Sequence, residues 1–108
     1  MNLPANAIIA RRKVTEYLLQ ARDEGDKAAF LAVAGYTFEH ADRLLNDLRT
    51  ELLPLEADFI EDTEYGPKYA IRGALTGPNG RTLRVLTIGM KENATGATKF
   101  VTLVPDKA

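Results

Sequence analysis

The spacing of apolar residues changes once along the chain, at Pro54, and this change limits the fold more than any other feature. Before Pro54, apolar residues at helical spacing form one stripe: Ala41, Leu44, Leu45, Leu48 and Leu52. After it, residues 68–76 and 98–104 alternate with a period of two, and residues 81–90 are apolar on both sides, as in a central strand. This order predicts an α+β domain with three N-terminal helices packed on one face of a mainly antiparallel four-stranded β-meander.

The element boundaries follow from local signals, with helices in about residues 10–53 and strands in about residues 56–104. The first helix is expected over residues 10–22. Asp26 is a suitable N-cap for the second, and Thr37 for the third, which Pro54 ends. Residues 56–63 are a weaker strand candidate. We expect one domain over residues 1–108, because 108 residues suffice for a single core.

Composition excludes several classes of protein. The chain has no cysteine, so it has neither disulfides nor thiolate metal sites. It lacks a run of about 18 apolar residues, and its charged residues follow a very short apolar patch, unlike a secretory signal. We therefore expect a cytoplasmic protein without a membrane segment.

Residues 64–108 carry seven Lys or Arg and three Asp or Glu, a balance of +4, against −5 for residues 1–63. The basic half could attract a phosphodiester, or the two halves could simply balance.

The sheet's two faces can be separated if the turn at residues 77–80 has a two-residue loop. Tyr69, Ile71 and Leu75 would then share the core face. They would be joined there by Leu86, Ile88, Met90, Val101 and Leu103. The opposite face would hold Lys68, Arg72, Thr87, Gly89 and Thr102, together with Leu83, Val85, Phe100 and Val104. A face that mixes cations with apolar side chains indicates a ligand, a partner chain or a second copy. The alternative is that the chain covers this face itself.

Other candidate groups are few. His40 is the only histidine, and the helical pattern places it on a solvated surface. The acidic stretch at residues 56–62 lacks the spacing of a calcium loop and is typical of a charged edge strand. The sequence predicts no metal site and no cofactor.

Four stretches resemble, in order and spacing, an uncharacterised family of small bacterial proteins. They are "AIIARRKVTEYLL", "GDKAAFLAVAGY", "YGPKYAIRGALTGPNGRTLRVLTI" and "TKFVTLVPD". Domains of similar pattern occur at the C-terminal ends of polymorphic bacterial toxins, and standalone versions are encoded beside a second small protein. The layout is similar to that of the barnase, EndoU, colicin and RelE group of ribonucleases. The resemblance implies a toxin-like domain, an RNA substrate and a small cognate partner protein.

The resemblance also implies site residues. It points to Lys13 in the first helix, Lys27 at the start of the second, and the strand threonines Thr87 and Thr102. An aromatic residue is expected where this chain has Gly89, and a tyrosine where it has Val104.

Combined with the predicted faces, these residues give a functional hypothesis. Arg72, Thr87 and Thr102 would form a catalytic phosphate site that works by charge stabilisation, and Lys68, Lys13 and Lys27 would bind substrate. The alternative is a non-catalytic interaction module that binds a partner protein or forms a homodimer through the apolar part of the same face.

Overall fold

The computed structural model describes residues 2–4, 6–19 and 27–106. The helical segments are a first π-helix (Lys13–Leu18), α1 (Lys27–Ala32), a 3-10 turn (Phe38–His40), α2 (Ala41–Asp47) and a second π-helix (Leu48–Leu52). The strands are β1 (Asp58–Thr63), β2 (Gly66–Thr76), β3 (Thr82–Lys91) and β4 (Thr98–Pro105). They form one antiparallel sheet in the order β1-β2-β3-β4, so the fold is α+β with a four-stranded meander, as predicted.

The helical layer differs from the three N-terminal helices expected. The chain begins with an extended segment, which forms isolated bridges from Asn2 to Glu56 and from Ile8 to Lys99. The Ile8 amide donates to the Thr98 carbonyl at 2.7 Å, and the Phe100 amide donates to the Ile8 carbonyl at 2.8 Å. The Ile8 contacts hold the N-terminal segment on the edge of β4, and the Asn2 bridge ties its start to Glu56, just before β1. The helical segments lie in the middle of the chain. The expected end of the first helix at residue 22, and Asp26, lie outside the described residues.

The third predicted helix is present but changes its hydrogen-bonding pattern along its length. Its predicted apolar stripe faces the core: Ala41, Leu44, Leu48 and Leu52 are buried. The Leu53 amide donates to the Leu48 carbonyl at 3.0 Å, which is the i to i+5 spacing of a π turn. Thr37 makes no side-chain capping bond, and its hydroxyl instead pairs with His40 Nδ1 at 2.8 Å.

The β2–β3 loop inverts the predicted faces of β3. Thr76 pairs with Thr82, so the loop has five residues rather than two, and an odd count moves each β3 side chain to the other face. The loop is docked on the end of α1, where the Asn79 amide donates to Ala34 O at 3.2 Å and Asn79 Nδ2 donates to Val33 O at 3.0 Å. At Gly77, an added Cβ would come within 2.0 Å of Ala34 O.

The corrected faces follow from this pairing. Leu83, Val85 and Thr87 are buried under the helices, whereas Leu86, Ile88 and Met90 are only partly buried and lie on the other face. The predicted positions of these six residues were therefore wrong. Ile71, Leu75 and Leu103 are buried, as predicted.

A β-bulge in the pairing of β3 with β4 changes which β4 side chains face the core. Ile88 pairs with Thr102 and Gly89 pairs with Phe100, which leaves Val101 as the extra residue. Phe100 therefore lies on the buried side with Leu103, at 6% exposure, and its predicted place on the opposite face was wrong. Thr102 and Lys99 lie on the side opposite the core.

Candidate outer-face site

The face of the sheet opposite the core is called the outer face. It is defined by Lys68, Ala70, Arg72, Leu86, Ile88, Met90, Lys99, Thr102 and Val104. Each of these residues is at least partly exposed. Its centre is apolar and its margins carry cations, so it combines a surface for flat apolar groups with charges for an anion. The predicted mixture of charge and apolar area is thus present, but different β3 residues supply the apolar part.

Three cations of the outer face, Arg72, Lys99 and Lys68, have carboxylate partners. Arg72 donates to Asp106 Oδ1 at 2.7 Å, and Lys99 Nζ lies 2.9 Å from Glu92 Oε2. Lys68 Nζ lies 4.0 Å from Glu61 Oε1. Hydrogen bonds from Lys99 and Thr95 lower the pKa of the Glu92 carboxyl. An anion on this face must therefore compete with carboxylates for Arg72 and Lys99.

Three residues implied by the resemblance lie at the β4 margin of this face, two of them in direct contact. Lys27 Nζ donates to Thr102 Oγ1 at 2.6 Å, which joins the first turn of α1 to β4 across 75 residues of sequence. Lys13, from the first π-helix, lines an adjacent cleft of about 190 Å³ with Val101 and Lys99. Met90, Glu92 and Phe100 complete its lining. An ammonium group and a hydroxyl are therefore in contact at this margin, and a second ammonium group lines the cleft beside Val101, the residue before Thr102; groups of these types bind phosphate in proteins.

Thr87 does not belong to this group, although the sequence placed it there. It is 5% exposed on the buried face, and its hydroxyl donates to the Ile71 carbonyl at 3.2 Å. The reason is the five-residue loop, which turns Thr87 toward the helices. The predicted meeting of Arg72, Thr87 and Thr102 on one face was therefore wrong; Arg72 and Thr102 share the outer face without Thr87.

The two positions at which the resemblance predicts aromatic residues, Gly89 and Val104, also lie on opposite faces of the sheet. Gly89 lies on the buried face, where an added Cβ would stand 3.4 Å from Leu3 Cδ1 and 3.4 Å from Lys99 O. A ring at residue 89 would therefore meet the N-terminal segment rather than a ligand on the outer face. Val104 does lie on the outer face, opposite Leu86.

A second polar group lies in the helical layer, away from the outer face. The hydroxyl of Tyr36, a buried residue, donates to Asp47 Oδ2 at 2.6 Å, and Arg43 Nε donates to the same oxygen at 3.3 Å. Burial, reinforced by the bond to Asp47, holds the pKa of the Tyr36 hydroxyl above its usual range. This group anchors Tyr36 against Asp47 in α2, which is a structural task. His40, predicted to be a surface residue, is partly exposed next to Thr37.

The described residues contain no group of three or more His, Asp or Glu side chains that could hold a metal ion. None of the helices in residues 2–4, 6–19 and 27–106 is long and apolar enough to cross a bilayer.

Comparison with known proteins gives a family and a structural neighbour. The model of a family described as "Domain of unknown function (DUF6883)" matches residues 2–107. Among solved structures, the fold is similar to a chain of a "Contact-dependent growth inhibition toxin - immunity protein complex from Klebsiella pneumoniae 342". The TM-score is 0.56 at 18% sequence identity, over 96% of this chain and 97% of that one, a level of identity that shows a shared fold. No curated protein matches this chain.

Proposed function

The chain belongs to the family of the domain of unknown function DUF6883, and we propose that it is a toxin-like domain acting on RNA, with a phosphate held at the β4 margin of the outer face. The observation that carries this proposal is the 2.6 Å hydrogen bond from Lys27 to Thr102, beside the cleft lined by Lys13. The structural neighbour, whose title names a toxin and its immunity protein, supports a place in a toxin-related system.

The margin offers a phosphate both charge and hydrogen bonds. Lys27 donates to the Thr102 oxygen at 2.6 Å, and the Thr102 hydroxyl contacts the Leu103 carbonyl at 3.4 Å. A phosphate oxygen at this margin could accept from the Thr102 hydroxyl in place of that carbonyl and would be attracted by the ammonium groups of Lys27 and Lys13. The gain from such groups is largest in the transition state of phosphodiester cleavage, where negative charge builds up on the phosphate oxygens.

Arg72 and Lys68 extend the same surface toward β2. Arg72 lies opposite Leu86 and Lys68 lies opposite Met90, so both stand across β3 from β4. The Arg72 guanidinium crosses β3 and reaches Asp106, directly after β4, at 2.7 Å. We propose that Arg72 and Lys68 bind a further phosphate of the RNA, next to the one held by Lys27 and Thr102. The apolar side chains between them offer a surface for bases or riboses.

The experiment compares Lys27→Met and Lys13→Met with the unmodified protein on single-stranded and structured RNA. We expect each variant to lower the cleavage rate by about a hundredfold, the usual scale for losing one positioned electrostatic group. Arg81→Met is the matched control, because Arg81 is an exposed cation in the β2–β3 loop. RNA cleavage that is equal in all four proteins would contradict the proposed site.

A second candidate function is a non-catalytic interaction module of a toxin-related system. It is favoured by the centre of the outer face, where Leu86, Ile88, Met90 and Val104 are only partly buried. A cognate partner protein or a second copy would cover this patch. Size measurement at two protein concentrations tests the homodimer, and Ile88→Lys should weaken either complex. No RNA cleavage by the parent protein, together with a complex lost in Ile88→Lys, would decide for this function.

A further inference from the structure

The other margin of the sheet, at β1, carries a surface of opposite charge. Residues 56–64 contain five carboxylates and no Lys or Arg. The carboxylates belong to Glu56, Asp58, Glu61, Asp62 and Glu64, all exposed. β1 is the terminal strand of the sheet, so in the described part of the chain no strand pairs along its free side. The register of β1 against β2 shifts between Phe59 and Glu61, which leaves Ile60 as a bulge residue. The alternate N–H and C=O groups on each side of this bulge can accept another strand.

Large apolar side chains are exposed among these carboxylates. Phe59 is 56% exposed, Ile60 is 45% exposed and Tyr65 is 66% exposed. The Phe59 ring packs edge-on against the Tyr69 ring of β2, with 6.1 Å between the two ring centroids. This contact fixes the orientation of the exposed Phe59 ring. Charges and a bulge protect an edge strand from aggregation, but this protection does not require large exposed apolar side chains beside them.

We propose that β1 is a docking edge for an extended, basic segment of a partner protein, which adds to the sheet as a fifth strand. The segment would alternate Lys or Arg with apolar residues. Its cations would meet the five carboxylates, its apolar side chains would cover Phe59 and Ile60, and its backbone would pair with β1.

Electrostatic complementarity favours a basic peptide segment at β1 over a second copy of this chain or an RNA. Two copies of this chain paired edge to edge would place one acidic stretch against another, which repels. RNA would bring phosphates to the same carboxylates. The β1 and β4 margins are separated by the width of the sheet, about 14 Å at three strand spacings. A partner at β1 therefore leaves the phosphate site at β4 open, and the inference is independent of the proposed RNA activity.

The probe is a fluorescent ten-residue peptide that alternates lysine and valine. It is compared with a glutamate–valine peptide and with the lysine–valine peptide N-methylated at alternate residues, which removes backbone donors but keeps the charge. We expect the lysine–valine peptide to bind at least about tenfold more tightly than either comparison peptide, with slowed amide exchange in residues 58–63. Binding that equals that of the N-methylated peptide, or no binding up to about 1 mM, would overturn the proposal.

A charge-reversed variant locates the surface. Glu61→Lys with Asp62→Lys should weaken peptide binding at least about tenfold, because two attractive pairs become repulsive. The control is Glu39→Lys with Glu51→Lys, which changes the net charge equally on exposed residues of the helical layer. An equal loss in the control would show a long-range charge effect and would refute the site. RNA cleavage should be unchanged by added lysine–valine peptide, and competition would likewise refute a separate β1 site.

Discussion

The two strand threonines provide a direct test of the structure, because each has one hydroxyl and only one of them faces the proposed ligand. Thr87→Val removes a buried hydrogen bond to the Ile71 carbonyl while keeping the side-chain volume. A hydrogen bond of this kind contributes about 1 kcal/mol, and at this chain length that corresponds to a fall in Tm of roughly 4–8 °C. RNA cleavage measured well below Tm should be unaffected.

Thr102→Val should give the opposite pattern. Its hydroxyl is partly exposed and bonds to Lys27, so the loss of stability should be less than about 1 kcal/mol. The cleavage rate should fall by about tenfold or more, since the phosphate loses a donor and Lys27 loses the group that positions it. Thermal unfolding and cleavage of one RNA substrate give both readouts. A Thr87→Val protein that keeps its Tm but loses cleavage would refute the assignment of faces.

Two further predictions concern ionisable groups. Asp106→Asn should strengthen RNA binding by about fivefold or more, because Arg72 would no longer be held by a carboxylate. The Asp106 side chain is only 8% exposed, so this pair is screened less than an exposed ion pair, which is worth about 0.2–1 kcal/mol. Asp42→Asn removes the same charge in the helical layer and should leave binding unchanged; equal gains would indicate a net-charge effect. Tyr36 has a pKa raised above its ordinary value near 10, so its contribution to stability is complete below pH 10 and is lost as the pH rises further. Denaturation of Tyr36→Phe should therefore show a smaller alkaline loss than the parent, and parallel curves would contradict the burial argument.

Local sequence patterns predict the elements of the sheet but not which way the strands face. The strands expected at residues 68–76, 81–90 and 98–104 are found at Gly66–Thr76, Thr82–Lys91 and Thr98–Pro105. Their faces depend on loop length, and that length is fixed by Asn79 bonding to the end of α1. This is a tertiary contact, so turn residues alone indicate a hairpin without determining whether its loop is odd or even.

For the site, too, the sequence indicates which residues take part but not how tertiary packing arranges them. The resemblance supplied Lys13, Lys27 and Thr102, but their meeting depends on how α1 and the first π-helix lie against β4, which spacing does not give. Asp106 was not identified from the sequence as the partner of Arg72. Its position directly after the last strand indicates that its carboxylate could pair with a cation of the outer face. Glu92 and Lys99, which flank the last loop and pair across it, carried a comparable signal.

The final prediction concerns the ring expected at residue 89. If Gly89 faced the ligand, Gly89→Trp would add a stacking surface and raise RNA affinity with little change in stability. The structure places residue 89 beneath Leu3, where even a Cβ is at contact distance, so an indole must displace the N-terminal segment. We expect a loss of about 1–3 kcal/mol from overpacking and no gain in RNA affinity.

The companion variant is Gly89→Trp with Leu3→Ala, which makes room for the indole. Because the two residues are in contact, the double variant should be more stable than the sum of the single changes predicts, by about 0.5 kcal/mol or more. Chemical denaturation of the four proteins measures this coupling. Additive losses, together with tighter RNA binding by Gly89→Trp, would mean that residue 89 faces outward and that the N-terminal segment does not cover it.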